Sequence, residues 1–117
     1  MNTVNARIKS TMLGVEDHGI LTAYIHLDYG GSGQGFGGYA LDSYEGERGK
    51  GGRQGTAWGM EFIRRVLETV GAERWEQLPG MHCRVRQTDD KVQAIGHIIE
   101  NKWFDPNEDL MFFLEPK

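Results

Sequence analysis

Apolar and polar residues alternate most cleanly over residues 20–27. Leu21, Ala23, Ile25 and Leu27 fall on one face, and Ile20, Thr22, Tyr24 and His26 on the other. That period of two predicts a half-buried strand with the first set facing the core. Residues 4–13 alternate more loosely and predict a strand before it. The polar stretch 14–19, opened by Gly14 and closed by Gly19, reads as the hairpin connection. From Thr56 the period lengthens. Met60, Ile63, Val66, Leu67 and Val70 recur at helical spacing, Phe62 widens the stripe, and Glu61, Arg64, Arg65 and Glu68 take the other side. Thr56 reads as the N-cap and Gly71 as the C′ glycine.

Period two returns over residues 82–87, with Cys83, Val85 and Gln87 on one side and His82, Arg84 and Arg86 on the other. Residues 88–91 read as a turn and 92–99 as the strand pairing back. Residues 105–114 open with Asp105-Pro106, an N-cap and first-position proline for a short helix. Residues 72–78 add a turn carrying Trp75, stopped by Pro79 and Gly80. The order β-β-β-α-β-β-(α) predicts one α+β domain over residues 1–117: a curved antiparallel sheet packed on one main helix, with a short C-terminal helix.

One stretch breaks the alternation. Six of the nine residues 30–38 are glycine, although β-prone sequence lies on both sides and a third strand is expected over 34–42. Glycine weakens a strand, so the backbone here has to turn tightly or approach something closely. Gly33, Gly35 and Gly38 match Gly-x-Gly-x-x-Gly, but a strand follows instead of a helix, so the dinucleotide fingerprint is excluded. Two readings stay open: a hairpin or bulge, or a ligand contact flanked by Tyr29, Phe36 and Tyr39. The polar loop over 43–54 reads as exposed and carries Arg48, Lys50 and Arg53. Guanidinium groups and backbone amides take phosphate, and rings stack on bases. A second candidate surface combines His82, Arg84 and Arg86 with Lys102, Trp103 and Phe104.

Composition narrows the function classes. The net charge of −4 argues against coating long nucleic acid. No apolar run reaches the roughly 18 residues of a membrane span. Residues 1–20 lack the apolar core of a signal peptide, and Cys83, the single cysteine, forms no internal disulfide. The cytoplasm is the expected compartment. His18, His26, His82, His97 and Cys83 have no metal-ligand spacing. No nucleophile elbow surrounds Ser10, Ser32 or Ser43, and Glu16-Asp17-His18 reads as a turn. The pattern points to a binder and not an enzyme, with no cofactor.

Six segments carry a family resemblance: residues 6–14 (Ala6-Arg-Ile-Lys-Ser-Thr-Met-Leu-Gly14), 16–19, 33–42, 59–63, 94–98 and 102–104 (Lys102-Trp-Phe104). Together they span nearly the whole chain and resemble small phage proteins, the Thoeris anti-defence proteins of the first type. Residues 34–42 (Gln34-Gly-Phe-Gly-Gly-Tyr-Ala-Leu-Asp42) are the most specific block. The resemblance implies a sponge, active in the host cytoplasm, that holds a cyclic ADP-ribose signal without cleaving it. It implies a homo-oligomer, dimer or hexamer, and for some members separate sites for cyclic oligonucleotides. Carried onto this chain, Gly37 and Gly38 with Arg53, beside Phe36, are the candidates for cyclic-oligonucleotide contact. His82, Arg84, Lys102, Trp103 and Phe104 are the candidates for the cyclic ADP-ribose pocket on chemical grounds. The alternative from a different class is a phage inhibitor that binds a nuclease or CRISPR complex directly.

Overall fold

The computed structural model describes residues 2–29, 32–44, 52–88 and 91–113. Its elements run β1 (Asn2–Val15), β2 (Leu21–Tyr29), β3 (Ser32–Ala40), β4 (Asp42–Tyr44), β5 (Arg53–Gly55), α1 (Ala57–Val70), β6 (His82–Thr88), β7 (Lys91–Gly96), β8 (Trp103–Phe104) and α2 (Pro106–Asp109). Short 3-10 turns cover Trp75–Gln77 and Met111–Phe113. Six strands form one antiparallel sheet in the order β3-β2-β1-β6-β7-β8. The domain is α+β, as the periodicities predict.

Alternation decides which face of the sheet packs. In β2, Ala23, Ile25 and Leu27 are buried while Tyr24, His26 and Asp28 point outward. In β6, Cys83 and Val85 are buried and His82 stands in solvent. β1 is shared by two neighbours. Its first half pairs with β6 and its second half with β2, and the register slips between Ile8 and Ser10. A bulge bends a strand and adds twist, and the sheet curls until β3 returns toward β7. α1 fills the concave side, where Ile8, Ile25, Leu27, Phe36, Val85, Ile95 and Phe104 share one core with Phe62, Val66 and Val70.

Both caps of α1 form as expected. The Thr56 hydroxyl accepts the Gly59 N–H at 2.9 Å, and Gly71 adopts φ +93° while its N–H donates to the Leu67 carbonyl. The buried stripe is rotated from the predicted one. Gly59, Phe62, Val66, Thr69 and Val70 are buried, Ile63 and Leu67 are half-buried, and Met60 is 70% exposed. Asp105 caps α2 by accepting from the N–H groups of Asn107 and Glu108.

Three boundaries differ from the periodicity. The third strand stops at Ala40 because Leu41 leaves the ladder: its N–H donates to Leu21 and its carbonyl accepts from both the N–H and the hydroxyl of Thr56. The strand expected to Ile99 stops at Gly96. There His97 turns the chain, its Nδ1 accepting the N–H groups of Ile99 and Glu100 at 3.0 and 2.9 Å, and the short edge strand β8 follows. The stretch expected as an open loop over 43–54 begins and ends in the β4–β5 ribbon. Arg48 and Lys50 lie outside the described residues, as do Gly30, Gly31, Asp89, Asp90 and residues 114–117. Among the described residues no helix is long and apolar enough to cross a membrane.

Candidate functional site

The outer face of the sheet carries the first candidate surface. Arg84 pairs across the ladder with Gly96, and Gly96 pairs with Trp103. A Cβ on Gly96 would sit 2.7 Å from the indole, so Trp103 lies flat over this glycine. Two guanidinium groups cover the ring from above, Arg86 at 4.1 Å and Arg84 at 4.8 Å from its centroid. Arg84 is also a clamp, donating to the carbonyls of His97 at 2.7 Å and Glu100 at 2.6 Å. Arg86 has its guanidinium on the ring and no carboxylate partner among the described residues. Arg7 stands opposite His82 on the same face and likewise has no ion pair there, although Asp28 is its neighbour in the β2 ladder. Four nitrogen-rich side chains and an indole therefore gather on one face of an acidic protein.

The other predicted site residues fall elsewhere. Lys102 bonds Glu100 at 3.0 Å in solvent, an exposed pair that contributes little. Phe104 and Phe36 are core residues, packed on each other and on Phe62. Gly37 and Gly38 form a bulge opposite β2 with φ +110° and +83°. A Cβ on Gly37 would lie 2.5 Å from the Ala23 carbonyl oxygen, so the close approach is to the chain's own strand. Gly35 is covered by the Tyr24 ring in the same way that Trp103 covers Gly96. Arg53 donates to the Asp42 carboxylate at 2.7 Å and the Asp42 carbonyl at 2.9 Å, and lies over Tyr44. Asp42 in turn accepts the Leu21 N–H at 3.1 Å. Arg53 thus ties the ribbon to the sheet. Its hydrogen bond holds the Asp42 carboxyl below its ordinary value.

A cleft of about 450 Å³ opens on the helix side, lined by Tyr39, Trp58 and Phe113 with Asp42, Thr56 and Asn107 among its polar groups. Tyr39 and Trp58 meet edge to face at 5.4 Å, and Trp58 stacks on Phe62 at 5.8 Å. Burial raises the Tyr39 phenol above its ordinary value, and the Asp105 charge adds to the rise. Sequence reasoning singled out Tyr39 but missed Phe113, whose only signal is an apolar residue beyond the capped turn.

The groups weighed for catalysis sit in structural roles. Glu16 accepts the His18 N–H at 2.6 Å inside its own turn. Cys83 is buried, and burial pushes its thiol up to about 12. Among the described residues no three His, Cys, Asp or Glu side chains gather as a metal site. Comparison with protein-family models, curated proteins and solved structures finds no match to this chain.

Proposed function

We propose that this chain is a phage anti-defence sponge that captures a cyclic nucleotide signal in the host cytoplasm and holds it uncleaved. One observation carries the reading: Arg86 and Arg84 over Trp103, on a face that also bears Arg7 and His82. Guanidinium groups match phosphate oxygens in a fork geometry, and an indole offers a stacking surface. Holding a signal requires affinity and no bond-breaking group. Arg86 is the group free to turn toward phosphate, because Arg84 is committed to two carbonyls. The cyclic ADP-ribose class fits this face better than the bulge at Gly37 and Gly38, where the Ala23 carbonyl fills the space beside Gly37.

A homo-oligomer belongs to the same proposal. Beyond Ile8, no described strand pairs with β1 on the side away from β2, and Met12, Leu13 and Val15 are exposed along that edge. An unpaired apolar edge is a template for another strand.

The protein is to be incubated with cyclic ADP-ribose isomers and cyclic oligonucleotides, freed of unbound ligand and heat-denatured. Intact ligand released in stoichiometric amount is expected, and Arg86→Ala is expected to weaken capture roughly 10- to 100-fold, the loss of one charged hydrogen bond. Altered ligand makes the protein an enzyme, and no retained nucleotide sinks the proposal. Direct inhibition of a host defence protein is favoured by a different observation, the apolar hollow of about 410 Å³ on α1 lined by Met60, Ile63, Leu67 and Ala72. Loss of anti-defence activity in Met60→Glu with nucleotide capture intact would select that reading.

A further inference from the structure

The cleft between the end of β3, the ribbon, the start of α1 and the turn at Met111–Phe113 lies on the helix side of the sheet. The arginine face lies on the outer side, so the two surfaces are physically separate. We propose that this cleft is a second binding site, and that it takes an uncharged planar heterocycle, a nucleobase in chemical class.

Three features select that class. The walls are rings: Trp58 has its stack with Phe62 behind it, Tyr39 stands edge-on to it, and Phe113 comes from a separate element. A flat ligand gains from such surfaces whatever its substituents. The polar groups are of both kinds. Asn107 donates one amide N–H to the Tyr39 phenol oxygen and keeps its second N–H and its carbonyl oxygen, while Ala57 and Trp58 line the cleft from the first turn of α1, where N–H groups have no intrahelical partner. The Thr56 hydroxyl serves Gly59 and leaves those two amides without an acceptor among the described residues. Donors and acceptors side by side match the edge of a base.

The third feature is charge. The Asp42 carboxylate at the rim is neutralised by Arg53, and Asp105, whose field reaches Tyr39, is spent on capping α2 and on Gln93. Among the described residues no lysine or arginine lines the cleft. Among these residues a phosphate finds no guanidinium that is not already paired, and an ammonium finds no free carboxylate. The volume of about 450 Å³ falls within the range of roughly 300–1,000 Å³ common for small-molecule sites.

This inference does not depend on the outer face binding anything, and the test keeps the two apart. Backbone amide shifts are followed while the protein is titrated separately with adenosine, inorganic phosphate and tetramethylammonium. Adenosine is expected to give saturable shifts centred on Tyr39, Trp58, Asn107 and Phe113, with the other two probes leaving those signals in place. Phe113→Ala is expected to weaken adenosine binding roughly 10-fold or more through the lost stack. Ala57→Trp, at an exposed position at the cleft mouth, fills the space without touching the core and is expected to abolish it. Arg86→Ala is expected to leave it unchanged. Adenosine shifts centred on Trp103, shifts that do not saturate, or full binding by Ala57→Trp would overturn the proposal. Saturation of the cleft by tetramethylammonium would replace the heterocycle with a cation.

Discussion

Tyr24 and Trp103 stand near opposite ends of the sheet and act alike, each laying its ring across a glycine of the neighbouring strand. A ring over glycine restores the packing that the missing side chain gives up. Gly35 and Gly96 are therefore needed for their lack of a side chain, and Gly37 for its positive φ. At the same scale, Arg53 is a tether. The Asp42 carboxyl is held below its ordinary value in the fold, so the pair contributes stability above the unfolded value, and this is lost as pH falls through the folded one. Urea midpoints are expected to drop as pH falls below about 4, and to drop less steeply in Asp42→Asn. An equal acid slope in the two proteins would rule out this tether as a contributor.

α1 shows how an element is placed by its neighbours. Its apolar stripe is wider than the surface the sheet offers, so the sheet takes Phe62, Val66 and Val70 and leaves Met60 in solvent. Phe62 touches Phe36, Tyr39, Trp58 and Phe104. Phe62→Ala is expected to destabilise the protein by about 3–5 kcal/mol. Met60→Lys is expected to stay within about 0.5 kcal/mol of the parent. Denaturant unfolding of both variants checks the rotation of the stripe: comparable losses would mean that Met60 is packed.

For the whole molecule, curvature separates two chemistries. The convex face gathers Arg7, His82, Arg84 and Arg86, while the concave side holds the core and the ring-lined cleft. The second half of β1 reaches past the strand that covers its first half, so its edge carries exposed Leu13 and Val15. Leu13→Lys is expected to shift the protein to a smaller species in sedimentation velocity. An unchanged species would exclude this edge as the contact between copies.

Element type was legible because it is local. The alternation of residues 20–27 and 82–87, the caps at Thr56, Gly71 and Asp105, and the helical period after Thr56 each depend on neighbours within a few residues. The sequence by itself therefore determined an α+β domain with one main helix, and it marked the 30–38 glycine run as a place of close approach. What the run approaches was not legible: Tyr24 covers Gly35 and the Ala23 carbonyl meets Gly37, and those contacts depend on register between strands. Tertiary structure alone decided that Phe36 and Phe104 belong to the core, that Arg53 is spent on Asp42, and that Arg84 and Arg86 meet over Trp103. It also brought Phe113 to Tyr39 and Trp58. Periodicity sets which face a side chain takes, whereas pairing across the sheet and curvature set what that side chain meets.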